Sequence, residues 1–145
     1  MILIQALRLH LAEAPHARIG WLFALADREI GAALGLMHEE PARRWTLAEL
    51  AARVGCSRSS FAAKFKASVG TSPMEYLTRW RMSLACDMLA TSGDPISAIA
   101  TSLGYDSESA FSAAFKRVTH HSPRQYGHRH DRELARTIRP EAIAI

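Results

Sequence analysis

Two stretches of this chain present the same short face at helical spacing. Ser59, Ser60, Ala63, Lys66 and Ala67 fall opposite Phe61, Phe65 and Val69, and Ser109, Ala110, Ala113, Lys116 and Arg117 fall opposite Phe111, Phe115 and Val118. Hydroxyls, methyls and cations on a small helical face suit contact with an anionic partner. The formal charge of +4 and the pI near 9.5 point the same way, nucleic acid being the ordinary case. Arg58, Lys64, Lys66, Arg79, Arg81, Lys116 and Arg117 are candidate phosphate contacts.

Other residue types that carry chemistry are present without the spacing that would put them to use. Cys56 and Cys86 show no Cys-x-x-Cys pattern and read as small reduced core residues, and nothing in the sequence brings a histidine to either, as nucleophilic catalysis would require. His120, His121, His128 and His130 lack the cysteine or carboxylate set of a metal site, so they read as a polar terminus. The chain is therefore expected to be no enzyme and to need neither metal nor cofactor. Its apolar start, Met1 to Leu7, is too short for a membrane span and is followed by Arg8 and His10, so a cytoplasmic location is expected.

The elements that must position the two faces are written twice. Gly55, Phe61, Phe65, Ser72-Pro73 and Tyr76 recur as Gly104, Phe111, Phe115, Ser122-Pro123 and Tyr126, with one extra residue just after the second glycine. Thr46 starts a helix as N-cap, Glu49 is its capping-box partner, and Trp45 with Leu50 forms a hydrophobic staple. Gly55 suits the left-handed conformation after that helix, and Ser57 caps the next, which is the grammar of a helix-turn-helix. In the second copy Asp94 is the expected N-cap with Pro95 in the first turn, Gly104 makes the turn, and Ser107 or Asp106 caps the following helix.

Ser72 with Glu75 and Ser122 with Gln125 predict capping boxes that start a further helix in each copy. The first of these, from Pro73 to about Thr91, has Leu77, Trp80, Leu84 and Met88 on one face and a length of about 28 Å at 1.5 Å per residue. That is close to one DNA turn, about 34 Å. Upstream, Asp27 caps a helix with Ile30, Ala33, Leu34 and Met37 on one face, stopping before Pro41. Leu3, Ile4, Leu7 and Leu11 predict an N-terminal amphipathic helix.

Ile99-Ala, Gly104-Tyr, Ser109-Ala-Phe-Ser, Phe115-Lys-Arg and Ser122-Pro-x-x-Tyr126, placed after a first copy and a long helix, resemble the DNA-binding domain of the AraC/XylS transcription regulators over about residues 27 to 127. Asp27-Arg-Glu-Ile-Gly31, Leu36-Met-His and Tyr76-Leu-Thr-Arg-Trp-Arg-Met82 resemble the branch whose members carry an N-terminal cupin-type sensor, and residues 1 to 26, including Gly20-Trp21-Leu22, resemble the junction with that sensor. The resemblance implies that both second helices enter successive major grooves. Carried over by position, the base readers are Ser59, Ala62, Ala63 and Lys66 in the first copy and Glu108, Ser109, Ser112 and Ala113 in the second. Many relatives have arginine where this chain has Ala63 and Ala113, so base choice here is expected to lean on hydroxyls, methyl contacts and DNA shape. His120-His121 stands where a glycine is usual before Ser122, as Gly70 is in the first copy.

The expected fold is all-α and homeodomain-like, about seven or eight helices, with helix-turn-helix units at about 46–69 and 95–118 joined by a helix at about 72–92. Residues 1–26 are expected to be an N-terminal helix and linker left from the sensor junction, and 128–145 a tail. The expected function is sequence-specific binding of double-stranded DNA in transcription regulation. The alternative is an interaction module, in which the N-terminal helix and the Trp21-Leu22-Phe23 patch make a homodimer or pair with a sensor on another chain and DNA affinity is secondary.

Overall fold

The structure, a computed structural model, describes residues 27–137, with side chains described as far as His130. The expected N-terminal helix, the Trp21-Leu22-Phe23 patch and the end of the C-terminal segment lie outside the described residues. The described residues form seven helices and no strand: α1 Arg28–Glu39, α2 Leu47–Arg53, α3 Arg58–Val69, α4 Pro73–Thr91, α5 Ile96–Ser102, α6 Glu108–Thr119 and α7 Pro123–Thr137. They divide into two compact units at Leu84/Ala85, within α4.

In the first unit the Asp27 carboxylate accepts from the backbone N–H groups of Glu29 and Ile30 at 2.9 and 3.2 Å, satisfying two donors that the start of α1 leaves open. The helix buries Ile30, Ala33, Leu34 and Met37. Thr46 Oγ1 caps α2 by accepting from Glu49 N at 3.1 Å, while the Glu49 carboxylate pairs with Arg43. Trp45 and Leu50 both enter the core, and the guanidinium of Arg43 lies over the Trp45 ring, 4.5 Å from its centroid. Arg81 reaches from α4 to the backbone carbonyls of Pro41 and Arg43 at 2.6 and 2.8 Å, tying the α1–α2 loop to α4.

The aromatic centre of each unit is built alike. Phe61 and Phe65 have ring centroids 5.7 Å apart, and Phe65 meets Tyr76 edge-on at 5.9 Å. In the second unit the Phe111–Phe115 and Phe115–Tyr126 separations are 5.8 and 5.7 Å. The helix positions i and i+4 set the two phenylalanines, and the Ser-Pro start of the next helix brings the tyrosine to them. Each ring wholly removed from water contributes about 1.5–3 kcal/mol, and all four phenylalanines are fully buried.

Three expectations about elements need correction. Asp94 does not cap α5: the helix starts at Ile96, one residue later than an Asp-Pro cap and first turn would place it, so the N-cap position falls on Pro95, which has no side-chain acceptor to make a cap bond. Helix α4 is buried on more than the expected stripe, since Tyr76, Met82 and Ala85 are buried along with Leu77 and Trp80, while Met88 is only half-buried. One side of α4 fills the first core, where the Trp80 indole N–H finds no acceptor among the described residues. Its last turns lie in the second unit, where Ser102 Oγ approaches Met88 Sδ at 3.9 Å. Finally, α7 continues past residue 127 to Thr137, into the segment expected to be tail.

Candidate nucleic-acid interface

Helices α3 and α6 are both 12 residues long and both begin after a serine cap. Ser57 Oγ accepts from Ser60 N at 3.3 Å and Ser107 Oγ from Ala110 N at 3.1 Å. The preceding turns use glycine with positive φ, 77° at Gly55 and 84° at Gly104, a conformation that costs other residues energy. The cap follows Gly55 by two residues and Gly104 by three, so the extra residue of the second copy is absorbed within the turn and the helices stay in phase.

With the cores holding one side of each helix, the candidate residues form a stripe on the other. Arg58, Ser59, Ala63 and Lys66 are exposed on α3, and Ala62 is half-buried. On α6 Glu108, Ser109, Ala113, Lys116 and Arg117 are exposed, and Ser112, the positional equivalent of Ala62, is likewise half-buried. Leu47, Ser57, Arg58, Ser59 and Ala62 line an open cleft beside the start of α3. Serine hydroxyls, methyls and lysine heads are thus arrayed along one accessible edge of each helix.

Six of the seven cations proposed for phosphate contact, all but Arg117, fall into two groups. Lys64 is paired with Glu29 of α1 at 2.7 Å, Arg79 with Glu75 at 3.2 Å, and Arg81 is committed to the α1–α2 loop. These three stabilise the unit that contains them, and sequence alone did not separate them from the rest. Arg58, Lys66 and Lys116 make no ion pair among the described residues and face solvent.

Glu29 joins Lys64 to Cys56, whose thiol donates to the same carboxylate oxygen at 3.1 Å. The Lys64 hydrogen bond, followed by that of Cys56, holds the Glu29 carboxyl below its ordinary range. The same carboxylate pushes the Cys56 thiol up, and burial does so for Cys86, so both favour the protonated form rather than the thiolate a nucleophile needs. Cys56 packs half-buried against the first core as a free thiol, and its hydrogen bond to Glu29 is an addition that the sequence did not announce. Burial also pushes the Tyr126 hydroxyl up, to about 12. Among the described residues no group of three or more His, Cys, Asp or Glu is placed to hold a metal. His121 instead meets Arg129 at 3.1 Å through its Nε2. No helix among the described residues is long and apolar enough to cross a membrane.

Comparison with known proteins matches this arrangement. A protein of Streptomyces antibioticus described as an AraC-like transcription regulator is 52% identical over 126 residues, covering 87% of this chain and 42% of that protein. The HTH-type transcriptional regulator AlkR of Acinetobacter baylyi is 40% identical over 126 residues, covering 87% of this chain and 41% of AlkR. The chain thus spans about two fifths of the length of these relatives. Among solved structures, the DNA-binding domain of the global transcriptional factor AdpA, in complex with a target DNA, superposes with a TM-score of 0.66 at 26% identity, over 77% of this chain and 96% of that one. The family model for a helix-turn-helix domain matches residues 50–129, and with these relatives it establishes that the chain belongs to the AraC-type helix-turn-helix family.

Proposed function

We propose that this chain is a sequence-specific binder of double-stranded DNA in transcription regulation, with α3 and α6 entering successive major grooves. The observation that carries the reading is the repeated exposed stripe: Ser59, Ala63 and Lys66 on α3 stand at the same distance from their serine cap as Ser109, Ala113 and Lys116 on α6. Two equivalent faces on one chain suit two equivalent grooves. Lys66, Lys116, Arg58 and Arg117 supply phosphate contacts, while Ser59, Ala62, Ala63, Glu108, Ser109, Ser112 and Ala113 face base edges. The function has no catalytic step, and its natural setting is the cytoplasm.

Hydroxyl-radical footprinting on a selected site tests the reading. Two protected segments, one helical turn apart on one face of about 20 bp, are expected. Protection of a single groove segment overturns the bipartite mode. The segment 1–26 is the proposed dimer contact, and sedimentation of the DNA complex distinguishes two chains per site from one.

A further inference from the structure

The serine caps bring the two reading helices into register residue by residue, and the register isolates where they differ. Counting from Ser57 and Ser107, the second, sixth and ninth helical positions are identical: Ser59 and Ser109, Ala63 and Ala113, Lys66 and Lys116. The first position is not. It holds Arg58 in α3 and Glu108 in α6, opposite charges at one structural place, both exposed. The Glu108 carboxylate makes no hydrogen bond or ion pair among the described residues; within the fold, only its place in the first turn of α6, where the helix end favours an acid, acts on it. An acidic side chain on a face otherwise made of serine, alanine, lysine and arginine opposes general attraction to phosphate. It must therefore gain from something specific in the groove, or weaken binding.

The major groove offers a carboxylate one well-matched base partner, because an ionised carboxylate only accepts hydrogen bonds and cytosine presents its exocyclic N4 amine as a donor. Guanine presents the acceptors O6 and N7 there, which would repel it. Resting on the DNA-binding reading above, we propose that Glu108 is a specificity-determining residue that accepts a hydrogen bond from the N4 amine of a cytosine in the groove occupied by α6. Arg58 brings donors to the same place in α3, so the two half-sites differ at this base although the rest of the two stripes is nearly the same. The charge also works against wrong sequences, since guanine and thymine offer the carboxylate no donor in exchange for its lost water, and the N6 donor of adenine lies beside the N7 acceptor.

Selection from a randomised duplex pool, followed by anisotropy titrations on single-base variants of the selected site, tests this with four proteins. The unaltered chain is expected to select cytosine at one position of the α6 half-site and to lose roughly ten-fold in affinity when that base is changed. Glu108→Gln, which keeps the shape and supplies an amide suited to adenine N6 and N7, shifts the choice there to adenine. Glu108→Arg, copying the residue at this place in α3, shifts it to guanine, and Glu108→Ala leaves that position without preference. Circular dichroism melting of each variant establishes that it is folded, as expected for an exposed first-turn residue. An unchanged consensus in folded Glu108→Gln and Glu108→Ala overturns the assignment while leaving the DNA-binding reading intact. A uniform gain at every base, with a steeper salt dependence, also overturns it by showing that Glu108 acts only by repelling phosphate. Failure of the unaltered chain to enrich any sequence overturns both.

Discussion

The helix carrying the first face ends at Gly70, and the helix carrying the second ends at His120. Both residues are left-handed C-caps, with φ of 92° and 63°, and each donates its backbone N–H to the lysine four residues back, Lys66 or Lys116, at 2.9 Å. Glycine reaches this conformation without penalty. Histidine does so against the crowding of its Cβ, though it tolerates the region better than branched residues. Around His120 the next turn is held by side chains: Thr119 Oγ1 donates to Phe115 O at 2.8 Å, His121 N lies 3.3 Å from the same hydroxyl, and His121 meets Arg129. One backbone shape is thus reached by intrinsic freedom in one unit and beside a local clasp in the other.

The residues after the two turn glycines show the same division. Cys56 is drawn into the polar contact with Glu29 and Lys64, whereas Tyr105 packs edge-on against Phe111 at 5.6 Å. Duplication therefore preserved the aromatic centres and the caps while the peripheral anchors diverged. Core geometry tolerates little change because each ring fills its space. A surface anchor has many chemical solutions.

The most severe way to break the parity of the units is to remove a ring from each. Phe65→Ala and Phe115→Ala should each cost about 3–5 kcal/mol, and by similar amounts, because the two aromatic sets have nearly the same separations. Urea unfolding followed by hydrogen exchange resolved by helix is the measurement, and a loss in one unit more than twice that in the other would end the equivalence.

A lesser effect distinguishes the first unit. Arg81→Ala removes the tie to the carbonyls of Pro41 and Arg43 and should cost about 2 kcal/mol, with Arg81→Lys recovering only part because a lysine cannot hold both acceptors in one planar fork. Thermal melts of the two variants give the ranking.

The glycine difference can be sharpened by exchange. No atom lies within 4 Å of a Cβ added at Gly70, so Gly70→Ala meets no clash and carries only the conformational cost. That should be about 1 kcal/mol, while His120→Gly should gain about 0.5 kcal/mol after the added freedom of the unfolded chain is deducted. Denaturant midpoints at constant slope check both, and destabilisation by His120→Gly would mean that the imidazole itself holds the turn.

The smallest expected effect concerns acid. Because Glu29 is held below its ordinary value of 4.5, the unfolded chain takes up that proton first as pH falls. The contribution of Glu29 is present above that value and is lost as pH drops through the lowered one. Glu29→Gln should flatten the acid limb of the melting temperature against pH, and an unaltered limb would show that the contact with Lys64 and Cys56 adds nothing to stability.

Much of this was legible in residue spacing, and the failures share a cause. Asp27, Thr46, Ser57, Ser72 and Ser122 were readable as caps because a cap acts on N–H groups two or three residues away. Ser122 and Gln125 complete a reciprocal box, with Gln125 N to Ser122 Oγ at 3.2 Å and Ser122 N to Gln125 Oε1 at 3.1 Å. Asp94 failed because Asp-Pro was read as cap and first turn, while the helix starts one residue later. The contacts of Cys56, Lys64 and Arg81 were hidden for another reason, since their partners lie 27, 35 and 40 residues away and no local pattern announces them.

Sequence by itself determined the helices, the duplication, the glycine turns and the outward phase of the two faces, because each follows from interactions within a few residues and from the helical period. Tertiary structure alone decided which cations are committed internally and which face solvent. It also decided that α4 is buried on more than one side and that His120 would occupy a left-handed cap. Those outcomes depend on what distant parts of the chain bring to each side chain, and charge or polarity in the sequence is the same whether that partner arrives or not.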